Sequence, residues 1–69
     1  MTKKIFIEGM SCGHCVARVE KALKALDGVS DVMVDLEGKF AQFQMKSEID
    51  DETLIGIIDD AGYDVVRVE

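Results

Sequence analysis

Proline and tryptophan are absent from this 69-residue chain, and its aromatic side chains come to three phenylalanines and one tyrosine. Any core must therefore be built mainly from Val, Ile and Leu, and no loop can rest on a cis-proline. Cysteine occurs twice, only two residues apart, so a disulfide framework joining distant segments is excluded. Basic residues are outnumbered, 8 Lys and Arg against 14 Asp and Glu, for a formal net charge of −6. That balance weighs against nucleic acid and against an acidic membrane surface as partners. Long apolar runs are missing too. After Lys3 and Lys4 the run is only Ile5 to Ile7 before Glu8, far too short for a signal peptide or for direct membrane insertion.

What is present is an ordinary globular composition, 48% apolar, in a length that holds one small domain over residues 1–69. A chain of this size is expected to have a net stability of only about 3–5 kcal/mol. Free thiols persist in a reducing compartment, so the expected location is the cytoplasm.

Both cysteines and the only histidine fall in one stretch, Gly9-Met10-Ser11-Cys12-Gly13-His14-Cys15. A β-like segment precedes it, and an apolar pattern of helical period follows: Val16, Val19, Leu23 and Leu26. The stretch therefore belongs on a strand-to-helix turn, with Cys15 in the first helical turn. Unpaired backbone N–H groups and a positive helix end favour the thiolate form there. Such a pair suits a soft metal or dithiol–disulfide cycling, and the residues alone leave both open.

Alternation predicts a first strand over 2–7, with Ile5 and Ile7 inward and Phe6 on the open face as a single exposed aromatic, and within 39–45 it puts Ala41, Phe43 and Met45 on one face and Phe40, Gln42 and Gln44 on the other. A helix is expected over about 14–26 with Gly28 as a left-handed stop. Strands over 30–36 and 39–45 flank a tight turn at Glu37-Gly38. A second helix over 51–61 starts at Asp50 as N-cap, with Ile49 and Leu54 as a hydrophobic staple, and stops at Gly62. A last strand covers 63–68. The order predicts an α+β ferredoxin-like βαββαβ two-layer sandwich with a four-stranded antiparallel sheet. Each helix is expected to cross between parallel neighbours. Cys12 and Cys15 should then look toward Gly62 and Tyr63.

With these features together, the chain resembles the heavy-metal-associated domain family, and within it the small bacterial copper chaperones. The seven-residue motif matches the family's Gly-Met-x-Cys-x-x-Cys signature, and Ala61-Gly62-Tyr63-Asp64-Val65 matches its Gly-Tyr loop. The resemblance implies cytosolic Cu(I) binding by Cys12 and Cys15, without enzymatic activity, and handover to a copper-transporting P-type ATPase or a copper-responsive repressor. It implies that Met10 packs inward and pins the loop. His14, between the cysteines, is expected to be exposed and to tune thiol acidity or join a second metal in a dimer, with direct ligation as the alternative. Tyr63, by its position, is expected to shield the thiolates from water and hydrogen-bond toward the sulfur. Ser11, where zinc- and cadmium-type members carry an acid, leans toward a monovalent ion. An excised ATPase domain, a mercury-binding relative and a copper-bridged homodimer stay open.

Two further readings come from the residues. The first helix carries Arg18, Lys21 and Lys24 against Glu20, and the second carries Asp50, Asp51, Glu52, Asp59 and Asp60 with no base. These are two solvated faces or a bipolar docking surface around the cysteines. A thiol oxidoreductase is disfavoured by the absence of proline, and an RNA-binding sheet by an open face read as Gln42, Gln44 and acidic neighbours.

Overall fold

The computed structural model describes all 69 residues, Met1–Glu69. Six elements follow in the predicted order: β1 (Thr2–Glu8), α1 (Gly13–Lys24), β2 (Val29–Asp35), β3 (Phe40–Met45), α2 (Asp51–Asp60) and β4 (Asp64–Val68). The sheet runs β2-β3-β1-β4, and every neighbouring pair is antiparallel. The expected ferredoxin-like βαββαβ sandwich is therefore present. The crossovers are not between parallel neighbours, however. α1 joins β1 to β2 across β3, and α2 joins β3 to β4 across β1. Each helix spans a strand of opposite direction, which is why one sheet can be antiparallel throughout and still carry two helices on one face.

Alternation decides what lies between the layers. Ile5 and Ile7 of β1, with Ala41, Phe43 and Met45 of β3, point at Val19 and Leu23 of α1 and at Leu54 and Ile58 of α2. Met10 and Tyr63 complete this cluster from the two loops at one end. The loop before α1 leaves β1 and the loop after α2 enters β4, and these two strands pair at that end, Glu8 against Asp64. Gly9 and Tyr63 are thus brought side by side by sheet register.

The helix ends explain where the site lies. α1 has lysines, Lys21 and Lys24, in its last turn but no carboxylate in its first, so its positive end is left to the cysteines. α2 has Asp51 and Glu52 in its first turn. Asp50 occupies the N-cap position there, but its side chain makes no capping bond. At the other end of α2 the Gly62 N–H donates to Asp59 O at 2.9 Å and the Tyr63 N–H to Ile58 O at 3.2 Å. Gly62 sits at φ +96°. This paired closure is the Schellman arrangement, with Tyr63 and Ile58 as its apolar contact. It turns the chain so that the tyrosine ring enters the core.

Three local expectations are corrected. The hairpin between β2 and β3 is a four-residue turn, Leu36–Lys39, because Asp35 faces Phe40. Lys39 takes the positive φ of 59°, and Gly38 is required because a Cβ there would lie 2.5 Å from the Phe40 ring. α1 ends at Lys24, so Gly28, at φ +83°, lies beyond the helix stop, in the loop where its carbonyl accepts the Lys46 N–H at 2.8 Å. Phe6 is not alone on the open face. Its ring centroid is 6.0 Å from that of Phe40, with Lys4 4.1 Å from the Phe40 centroid and the Arg67 guanidinium 4.2 Å from its own. That face therefore carries two aromatics and two cations, each ring already capped by a cation. The sheet's outer strands both bulge: Val66 is the extra residue opposite Phe6–Ile7, and β2 fits three steps against two of β3 around Asp31, at φ 53°.

Gly56 in α2 and Gly62 just beyond it should respond to alanine in opposite directions. Gly56 lies mid-helix with open space where a Cβ would stand, so Gly56→Ala should stabilise by about 1 kcal/mol. Gly62 has equal space but a left-handed backbone, so Gly62→Ala should destabilise by about 1–2 kcal/mol. Urea denaturation of the two variants checks the pair.

Candidate metal centre

Cys12 is the N-cap residue, just before α1. Its backbone is extended, at φ −158° and ψ 174°, and its carbonyl accepts the N–H groups of Cys15 at 3.1 Å and Val16 at 3.3 Å. The first helical turn thus folds Cys15 back over Cys12, and the two Sγ atoms come to 3.8 Å. Both are free thiols, Cys12 exposed and Cys15 partly buried against the core. No three or more His, Cys, Asp or Glu side chains cluster so as to share an ion. The pair stands without a third protein ligand of those types.

The remaining predicted residues divide cleanly. Met10 is 7% exposed and belongs to the core cluster. His14 is fully on the surface and makes no side-chain hydrogen bond. Tyr63 is 7% exposed and is brought to the cysteines by the turn after α2. Its ring also passes close to Gly9, where a Cβ would stand 3.5 Å from Cδ1. Gly9 itself takes φ +97°, which lets the chain leave β1 and rise over the ring. Ser11 Oγ lies 4.0 Å from the Cys15 sulfur.

These neighbours act on Cys15. Its thiol is pulled down from 9.0 to about 6, first by the Ser11 backbone N–H, then by the Tyr63 hydroxyl, with Cys12 adding to both and partial desolvation opposing them. Tyr63 responds in the opposite sense. Its phenol is pushed above its usual range, chiefly because its proton serves the Cys15 sulfur, while a hydrogen bond from Arg18 pulls the other way. Cys15 is thus largely thiolate at neutral pH, a ready donor for a soft ion and a weak competitor for protons.

Two contributors were not legible beforehand. The Ser11 backbone amide acts through loop conformation, which carries no side-chain signature. Arg18 was read only as surface charge. Its spacing of three from Cys15 was the available signal, since residues i and i+3 share a helix face. Among the surface cations of α1, Lys24 pairs with Glu20 at 2.7 Å. Arg18 and Lys21 form no ion pair.

Fold and site together define a small α+β domain that presents a reduced Cys-x-x-Cys pair at a bare helix N-terminus. The sequence profile of the heavy-metal-associated domain matches residues 4–64, and the chain belongs to that family. It is 44% identical over 61 residues to the copper chaperone CopZ of Staphylococcus aureus, covering 87% of this chain and 90% of that protein. It is also 44% identical over 63 residues to copper-transporting ATPase 1 of Rhizobium meliloti; there the match covers 91% of this chain but only 8% of the relative. Among solved structures, a CopZ metallochaperone superposes with a TM-score of 0.88 at 40% identity, covering 96% of this chain and all of that one.

The lowered thiol fixes a pH dependence. Between about pH 6 and 9 the folded chain holds a thiolate at Cys15 where the unfolded chain holds a thiol. This contribution to stability is complete above 9 and is lost as pH falls through about 6. Ultraviolet thiolate absorbance should therefore rise with a midpoint near pH 6. The stability gap to Cys15→Ser should widen from pH 6 to 9, and Tyr63→Phe should move the absorbance midpoint upward.

Proposed function

We propose that the chain carries Cu(I) on Cys12 and Cys15 as one domain, delivering the ion to a thiolate-bearing partner and performing no catalysis of its own. The observation that supports this most is the pair of free sulfurs 3.8 Å apart with no third ligand beside them. Soft univalent ions prefer thiolates and accept low coordination, whereas a structural zinc site draws four protein ligands. At a metal–thiolate length of about 2.3 Å, sulfurs at this separation already bracket one ion. Similarity to a copper chaperone over most of both chains points the same way.

Handover is a ligand exchange without redox change. A partner thiolate forms a third Cu–S bond, then one of the chain's own Cu–S bonds breaks, and the departing cysteine leaves as a thiolate. Cys12 is suited to go first, because it is exposed and lacks the hydrogen bonds that hold Cys15. A copper-transporting P-type ATPase domain is the partner this reading favours; a copper-responsive repressor would need the same exposed pair. Delivery within the cytoplasm fits a structure in which no helix is long and apolar enough to cross a membrane. A second reading keeps the chemistry and changes the setting: the match to a short part of a copper ATPase suits a domain tethered within such a transporter.

Cys12→Ser and Cys15→Ser should each abolish stoichiometric Cu(I) uptake against a competing chelator, and retention by Cys12→Ser would defeat the two-thiolate site. The unpaired Lys21 should help steer an acidic partner surface. Lys21→Glu should therefore slow copper transfer at low salt, by about tenfold or less, and the difference should fade at high ionic strength.

A further inference from the structure

Of the six glycines, four answer to the fold. Gly9, Gly28 and Gly62 hold left-handed backbones, and Gly38 clears the Phe40 ring. Gly13 and Gly56 do neither. Both have ordinary helical backbones, and a Cβ built on either meets nothing within 4 Å beyond the adjoining chain. Glycine is the poorest helix former after proline, so folding explains neither. Gly56 lies in the middle of α2. Gly13 differs in its place: it is the first residue of α1, exposed, and directly follows Cys12. Two helical steps separate it from Cys15, about 200° around the axis, so a side chain there would stand on the other side of α1 from that sulfur, next to Cys12. Because each Cα–Cβ bond leans toward the helix N-terminus, it would also rise toward the end where the two sulfurs lie 3.8 Å apart. Cys12 is the exposed member of that pair, and glycine leaves its flank bare.

We propose that Gly13 is an access residue for the sulfur pair: its missing side chain lets the backbone of another protein come down beside Cys12, so that a thiolate carried on that surface reaches the ion. The inference rests on the copper-carrying reading above and adds to it the side from which the partner approaches. The exchange itself is unchanged. One Cu–S bond forms to the incoming thiolate and the Cu–S bond to Cys12 breaks, with no electron transferred. A small free thiol can pass a side chain at position 13. A thiolate fixed on a folded surface brings that surface with it and is stopped. What the glycine governs is therefore how large an acceptor the site admits.

The test loads Gly13→Ala and Gly13→Leu with Cu(I) and follows transfer to heavy-nitrogen-labelled apoprotein of the wild-type chain by native mass spectrometry, with dithiothreitol as a parallel acceptor. Gly13→Leu should slow transfer to the protein acceptor by about tenfold, and Gly13→Ala by less. Transfer to dithiothreitol should be unchanged in both. Equal slowing toward both acceptors, no slowing toward the protein, or the same slowing from Gly56→Leu overturns the assignment. The thermal midpoint of Gly13→Ala should hold or rise; a fall would give the glycine a folding role and overturn it too. A second arm needs no metal. A maleimide fixed on a folded carrier protein should alkylate reduced Gly13→Leu apoprotein more slowly than wild type, relative to iodoacetamide, and an unchanged ratio overturns the inference. If wild-type protein takes up no Cu(I), the copper reading fails while the alkylation arm still judges access to the sulfurs.

Discussion

Everything at the site depends on two fastenings in the hydrophobic core, Met10 on one side and Val19 on the other. Between them the chain must rise into solvent and return, and it does so over a few residues that include both cysteines. Burying Met10 holds the start of the loop down. Burying Val19, with Leu23 one turn later, holds α1 against the sheet. The sulfurs are therefore outside but not loose. The thiols are open to solvent, while the scaffold beneath them belongs to the buried core.

The electrostatic setting follows from the same geometry. A helix whose first turn lacks carboxylates leaves its positive end to the sulfurs beside it, and Cys15 lies in that first turn. The Ser11 amide and the Tyr63 hydroxyl both favour the thiolate of that sulfur. Cys12 receives no such attention. The pair is thus unequal, with Cys15 held by its neighbours and Cys12 exposed.

Much of this was legible in the sequence because the chain's periodicities are unambiguous. Ile5/Ile7, Ala41/Phe43/Met45 and the two helical stripes identified both layers, and Gly62 marked the stop that aims Tyr63. What escaped was of another kind. Period-two alternation cannot tell that a strand has one residue too many, so the bulges at Asp31 and Val66 were invisible. Glu37-Gly38 looked like a two-residue turn, although the left-handed position went to Lys39 and the glycine was needed to clear the Phe40 ring. Alternation put Phe6 and Phe40 each on a face away from the core, but a helix and a strand separate them in sequence, so their pairing side by side across β1 and β3 was not legible. The family motif located the site; only the fold showed which backbone amide and which arginine serve it.

The irregular outer strands have a consequence for life at high concentration. β2 and β4 form the two rims of the sheet, and a smooth rim is an invitation for another chain to extend the sheet into a fibre. Here each rim is kinked by its surplus residue, so neighbours find no straight ladder to join. Many copies can crowd together without zipping edge to edge.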